Sequence, residues 1–352
     1  MRVFVVVFIC CVFQTVLFGQ PIPVEKSKQA AKFATTITAE ELKEHLYTLA
    51  ADSMEGRMSG EAGQKKAARY IASQFEAMGL QKGMDTSYFQ VFEIARVKRR
   101  YRLVKPNMSL DSTYGIKTTE NVVGYIEGTS KKEEVLVISA HYDHVGKKYT
   151  TIFNGADDNA SGTSGMIEIA EAFAEAQKAG YRPKRTIVFL LVSAEEIGLM
   201  GSSFYTNYQP LFPLENTVAN LNVDMIGRVD ENHQENPDYI YLIGSDKLSE
   251  DLHQLSERVN ATYMQLKLDY TYNADNDPNR YYYRSDHYNF AKNNIPVIFY
   301  FNGVHADYHQ PTDTPDKINY TKMTKIAQLV FFTAWEIANR EARIQLNEES
   351  DK

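Results

Sequence analysis

At 352 residues the chain is long enough for one large domain or two small ones, and its formal charge of −7 gives no electrostatic case for a nucleic-acid partner. Its two cysteines, Cys10 and Cys11, both lie close to the N-terminus, so the body of the chain has no disulfide, thiolate ligand or cysteine nucleophile. Any metal held there must be held by histidine and carboxylate.

Residues 1–19 carry one charge, Arg2, ahead of an uncharged apolar run, and the sequence then turns polar at "PVEKSKQAAK". That layout predicts a secretory signal peptide and an exported protein, periplasmic or extracellular, with no stable membrane insertion after cleavage. An uncleaved anchor is the alternative reading, because about 17 apolar residues can span a bilayer. Residues 20–35 then read as a polar leader, 36–345 as a single domain, and 346–352 as a disordered tail. Cleavage would remove only Arg2 and move the charge from −7 to −8.

In chain order, "TAEELKEHLYTLA" opens with Thr38 three residues before Glu41, a capping-box start for a helix. A Gly-rich turn follows, and "QKKAARYIASQFEAMGL" has helical spacing at Ala67, Tyr70, Ile71, Phe75 and Met78, ending at Gly79. Residues 88–128 read as strands and turns. Compact apolar runs then occupy 134–140, 186–194, 219–227, 239–245 and 295–301, with helical patterns at 161–179, 195–207, 246–262, 286–293 and 320–344. Short apolar strands alternating with helices predict an α/β fold: a three-layer αβα sandwich around a mixed, largely parallel sheet. The apolar stripe of the last helix, with Ile326, Val330 and Trp335, reads as core.

Ligands of open α/β sheets bind beyond the carboxyl ends of the strands. Here the strand "EVLVISA" runs into His141 and Asp143, "TIVFLLVSA" into Glu195 and Glu196, "ANLNV" into Asp224, and "IPVIFYF" toward His305 and His309. The loop "NGADDNASG" adds Asp157 and Asp158, with no Lys or Arg between Lys148 and Lys178. Each feature alone has an ordinary explanation: a solvated turn, a capping box at Ser193–Glu196, a strand end, surface histidines. Together these explanations must gather acids and histidines at one sheet edge with no basic partner in the same segments. Divalent cations resolve that charge problem, and a His/carboxylate donor set suits zinc or a similar borderline metal.

These segments carry a resemblance. "SAHYDHVG", "NGADDNASG", "VSAEEIGLMGS", "NVDMIGR" and "HADYHQPTDTPDKI", in this order and spacing, resemble the co-catalytic dizinc aminopeptidase family. That family includes secreted bacterial leucyl aminopeptidases, with glutamate carboxypeptidase and glutaminyl cyclase as distant relatives. The resemblance covers roughly residues 36–340 and includes "LAADSMEGRMSGEAG" near the start, without the insertion that would hold a protease-associated domain. It implies a zinc-exopeptidase fold, two Zn²⁺ per chain and peptide substrates with a free N-terminus. By position it makes His141, Asp157, Glu196, Asp224 and His309 the metal ligands. Asp157 would bridge both ions, with a strained peptide link at Asp157–Asp158. Glu195, beside a ligand, becomes the general base, and Asp143 an acceptor orienting the His141 imidazole. Tyr281, Tyr282 and Tyr283 are equal candidates for an oxyanion donor, while His144, His287 and His305 receive no role. The resemblance leaves open a carboxypeptidase using Arg228, Arg280 or Arg284, a single-zinc glutaminyl cyclase and a non-catalytic binding ectodomain.

Overall fold

Apolar runs too long to face solvent on either side force strands into the middle of a layered fold, and the longest of them sits there. Arg185–Val192 is buried at all eight positions. Each fully buried Val, Leu, Ile or Phe contributes about 1.5–3 kcal/mol of transfer free energy, which makes this strand a natural centre for the sheet. The computed structural model describes residues 24–108 and 115–348; the expected signal peptide and the last residues of the expected tail lie outside them. No described helix is long and apolar enough to cross a membrane.

The strands are β1 (Gln81–Lys82), β2 (Phe89–Val97), β3 (Arg100–Leu103), β4 (Gly115–Ile126), β5 (Lys131–His141), the small pair β6 (Lys147–Lys148) and β7 (Thr151–Ile152), β8 (Arg185–Val192), β9 (Thr217–Val223), β10 (Tyr239–Ile243), β11 (Lys267–Asp269) and β12 (Val297–Phe301). The helices are α1 (Lys28–Ala34), α2 (Ala39–Leu49), α3 (Ala62–Met78), α4 (Gly162–Lys178), α5 (Met200–Asn207), α6 (Glu250–Tyr263), α7 (His287–Ala291) and α8 (Tyr320–Asn339). The main sheet runs β11-β10-β12-β9-β5-β8-β4-β2-β3, with β1 attached to β4. Its centre, β12-β9-β5-β8, is parallel, whereas β4, β2 and β3 are antiparallel and β10 runs against β12. Helices cover both faces, as the sandwich expectation required.

Local chemistry accounts for the helix ends. Thr38 Oγ1 accepts from the Glu41 amide at 3.2 Å, forming the N-cap half of the capping box, and donates to Glu41 Oε2 at 2.7 Å, so the Glu41 carboxylate reaches the Thr38 hydroxyl rather than its amide. Gly79 closes α3 in the left-handed region at φ +79. Two expectations need correcting. Residues 28–34 are not a polar leader but a helix, capped by Ser27, whose Ala30, Phe33 and Ala34 are buried. The expected tail stays attached as far as Asn347, whose amide donates to Leu248 O at 2.9 Å.

The carboxyl ends of β5, β8, β9 and β12 are brought level by their register. His141 stands opposite Val192, and Ser139 opposite Asn222, so the residues just past each strand share one edge. Side chains two apart share a face, which places His141 beside Asp224.

Candidate metal centre

Histidines and carboxylates converge at that edge. His141 Nε2 lies 3.2 Å from Asp224 Oδ1 and 3.3 Å from Asp158 Oδ1. Across the cluster, His309 Nε2 lies 2.9 Å from Asp158 Oδ2 and 3.2 Å from Glu196 Oε2. The two oxygens of Asp158 therefore face two different histidines, each of which also meets a second carboxylate. Glu195 joins His141 and Asp224 in one compact group, and His144 joins Asp158 and Glu196 in another.

Here the structure corrects the sequence reading. Asp158, not Asp157, occupies the shared position. Asp157 turns to the other side of the loop, where its Oδ1 accepts from the Gly227 amide at 2.7 Å and its Oδ2 from Asn302 Nδ2 at 3.1 Å. His305 Nε2 completes that pocket at 3.1 Å from Asp157 Oδ2. The loop is irregular: Asp158 and Asn159 leave helical geometry, and the non-proline cis peptide is Asp158–Asn159 rather than Asp157–Asp158. Adjacent residues in such a loop have no period from which their facing can be read. Gly155 starts the turn at φ +57, and a Cβ there would meet Asp158 O at 2.3 Å and the His144 ring at 2.5 Å. Only glycine fits.

The other expected residues lie as follows. Asp143 stands beside Nδ1 of His141, with its carbonyl oxygen at 3.2 Å and its carboxylate at 3.8 Å. Its carboxylate accepts from Ser59 Oγ at 2.7 Å and from the Glu195 amide at 3.2 Å, so it also ties the two loops together. Glu195 and Glu196 precede helix α5, which starts only at Met200, so the Ser193–Glu196 capping box does not form. Ala194, Met225 and His309 all adopt positive φ (63, 59 and 55). Such residues cost about 1–2 kcal/mol each, and strained backbone clusters where function fixes a side-chain direction.

Several contributors had no sequence signal. His144 Nδ1 lies 2.7 Å from Glu196 Oε1, and Ser285 Oγ donates to Asp224 Oδ2 at 2.6 Å. Asp313 accepts from the amides of Asp157 and Asp158 at 2.9 and 3.2 Å, holding the loop in place. Beneath the cluster Arg57 is fully buried, donating to the carbonyls of Leu49, Tyr142 and Asn154, each at 2.7 Å, and of Gly155 at 2.9 Å. Burial pushes its guanidinium down to about 10 against the opposing pull of Asp158, Asp143, Asp313 and Glu196.

The electrostatics of the cluster are those of crowded acids that a cation would stabilise. Burial holds the Glu195 carboxyl well above its usual range, reinforced by Glu196, Asp286 and Asp224 against the pull of His141. Burial also raises Asp286 to about 7. His309 is pushed up to about 10: burial opposes the shift, and contacts with Asp158 and Glu196 outweigh it. Although His309 Nε2 is buried and close to both carboxylates, it makes no hydrogen bond with either. An imidazole nitrogen that faces two carboxylate oxygens without a hydrogen bond to either fits a shared metal ion, and the His/carboxylate donor set suits zinc or a similar borderline metal.

The adjoining cavity is lined by Met225, Phe299, Phe301, Val304 and Tyr308, with Tyr281 and Arg284 also on its wall. Of the three suspected arginines, Arg228 is occupied by Asp307 at 2.8 Å, and Arg280 lies over the ring of Tyr283. Arg284 lies over the Tyr281 ring and forms no ion pair among the described residues.

A layered α/β fold with two carboxylate–histidine groups sharing one aspartate is the architecture of a metallopeptidase. Residues 121–334 match Peptidase family M28, and the chain belongs to that family. It is 31% identical over 217 residues to a probable leucine aminopeptidase of Arthroderma otae, covering 59% of this chain and 55% of that protein. It is also 42% identical over 105 residues to a probable glutamate carboxypeptidase of Arthroderma benhamiae, covering 30% of this chain and 14% of that protein. The chain thus spans about half or less of the length of these relatives. Its fold is similar to that of BSAP, a zinc aminopeptidase from Bacillus subtilis, with TM-score 0.65, 17% identity and coverage of 87% and 96% of the two chains.

Proposed function

We propose that this chain is an exported zinc aminopeptidase that removes single residues from peptides with a free N-terminus, using two zinc ions. The placement of Asp158 between His141 and His309 carries this reading. In it, His141 and Asp224 would hold one ion and Glu196 and His309 the other, with Asp158 available to both. Five ligands with one bridge exceed what a single tetrahedral ion uses. Bound zinc ions would lower the pKa of water and polarise a substrate carbonyl.

The residues then divide the work. Glu195, raised by burial and surrounded by carboxylates, accepts a proton from the attacking water and returns it to the leaving amine. Asp143 keeps the His141 ring in register and fixes the Glu195 backbone. Tyr281 and Tyr308, which line the cavity, supply hydroxyls toward the developing oxyanion, whereas Tyr282 and Tyr283 line a separate depression. The carboxylates gathered at the site favour a protonated substrate amine over a substrate carboxylate, unless Arg284 on the cavity wall receives the latter.

One observation favours a second reading. Arg284 on the cavity wall has no carboxylate partner among the described residues and could receive a substrate C-terminus, as a carboxypeptidase requires. The deciding experiment compares leucine p-nitroanilide, its N-acetyl form and an N-blocked dipeptide ending in glutamate, with metal analysis of the same sample. Cleavage of only the free-amine substrate by protein holding two zinc ions supports the aminopeptidase. Preference for the blocked dipeptide establishes the carboxypeptidase reading instead, and one tightly bound ion would favour a cyclase.

A further inference from the structure

The hairpin formed by β2 and β3 is unlike the rest of this acidic chain. Arg96, Lys98, Arg99, Arg100, Arg102 and Lys105 fall within ten residues, and all six are exposed. None forms an ion pair among the described residues. Six like charges on a short ribbon repel one another, an arrangement that folding does not require.

The ribbon has two distinct faces. Ile94 pairs with Leu103 and Arg96 with Tyr101, and on this side Ile94, Tyr101 and Leu103 pack with Phe92, Met200 and Phe204. Side chains alternate along a strand, so Arg100 and Arg102 are turned to the opposite face. There Lys98, Arg99, Arg100 and Arg102 surround Val97 in an open depression of about 530 Å³. The chain is −7 overall, hence −11 without these four residues, so the positive face is a local exception that orients the molecule in an external field.

We propose that this hairpin face is an electrostatic dock seating the protein on an anionic phospholipid surface through Lys98, Arg99, Arg100 and Arg102. Several headgroup phosphates would be engaged at once, two or more by arginine forks. The depression is open, and its lining includes no buried polar side chain that would hold a single free phosphate. Nucleic acid fits less well: Tyr101, the aromatic of β3, is turned to the packed face with Phe92 and gives bases no platform to stack on beside the basic residues. A lipid surface needs only a protruding cationic tip. The packed face also touches Ala194 and Ile197, which flank Glu195 and Glu196, so docking would bring the cleft rim close to the surface.

The test is co-sedimentation of the full chain with vesicles of equal parts phosphatidylglycerol and phosphatidylcholine, and with phosphatidylcholine alone. The comparison is the same chain carrying K98S, R99S, R100S and R102S, whose unchanged melting temperature and metal content would show that it is folded. We expect wild-type binding to require the anionic lipid and to weaken steeply with salt, and the fourfold variant to bind at least about tenfold more weakly. Because both proteins carry the same apolar N-terminal segment, the difference reports the hairpin. Equal binding of variant and wild type, or of wild type to both vesicle types, overturns the proposal. So does tighter binding to a DNA oligonucleotide at the same salt.

Discussion

His144 and Glu196 are joined by a 2.7 Å contact from Nδ1 to Oε1, with the imidazole buried. If Glu196 is a zinc ligand, His144 acts through it by fixing which oxygen faces the ion. His144→Ala should then weaken binding of one of the two zinc ions by about 10–100-fold while leaving the other in place. Competition titration against a zinc chelator resolves the two affinities, and two unchanged constants would contradict the assignment.

The two neighbouring aspartates should separate cleanly by mutation. Asp158→Asn removes the carboxylate charge shared by the two histidines and should reduce the content of both ions. Asp157→Asn should keep the zinc stoichiometry but lower the melting temperature, because it disturbs a buried acceptor serving Gly227 and Asn302. Elemental analysis and thermal unfolding of the two variants check this; loss of both ions from the Asp157 variant alone would restore the sequence-based assignment.

Glu195→Gln removes a proton acceptor without removing a proposed ligand. Turnover should fall by at least about 10²–10⁴-fold with both ions retained. Steady-state kinetics together with metal analysis is the check, and near-normal kcat would move the general base elsewhere.

A pH effect on stability should come from Lys322, which is buried on helix α8. Its Nζ donates to Arg228 O at 2.7 Å and sits over the Tyr239 ring, and burial pushes its pKa down to about 7. The unfolded chain keeps an ordinary lysine value near 10.4. Between those two values the unfolded state binds more protons, so this residue makes stability rise with pH, and the burden of burying its charge is fully present below about pH 7. Lys322→Met should flatten that slope. Denaturant unfolding at pH 6, 8 and 9.5 measures it, and an unchanged slope would show that Lys322 does not titrate in this window.

The central strands were legible because burial on both faces leaves an unbroken apolar run: the 186–194 pattern and the observed Arg185–Val192 nearly coincide. Helix limits were harder to read. The last helical pattern extends to 344, yet α8 ends at Asn339, where Arg185 Nη1 takes up the carbonyls of Ile337 and Arg340. That capping group lies far away in sequence, so no local pattern announces it. Helix α5 starts late because Ala194 and Leu199 take positive φ around the two glutamates. Within the site, strand-end residues such as His141 and Asp224 could be located from their strands. The facing of Asp157 and Asp158 could not, since tertiary partners at Gly227, Asn302 and Asp313 decide it. Helix α1 was hidden by its shortness and by Lys28 and Lys32, which break up the apolar pattern of the three residues it buries.

Arg57 joins stretches of chain that are otherwise far apart. One guanidinium and its Nε–H hold the end of α2 at Leu49, the segment after β5 at Tyr142, and the approach to the Asp158 loop at Asn154 and Gly155. None of these carbonyls can be released alone without leaving a buried donor unsatisfied, so the segments should open together rather than fray one by one. In hydrogen exchange they would form a single cooperative unit, and the floor of the metal cluster would be as slow to open as the most protected strands of the sheet.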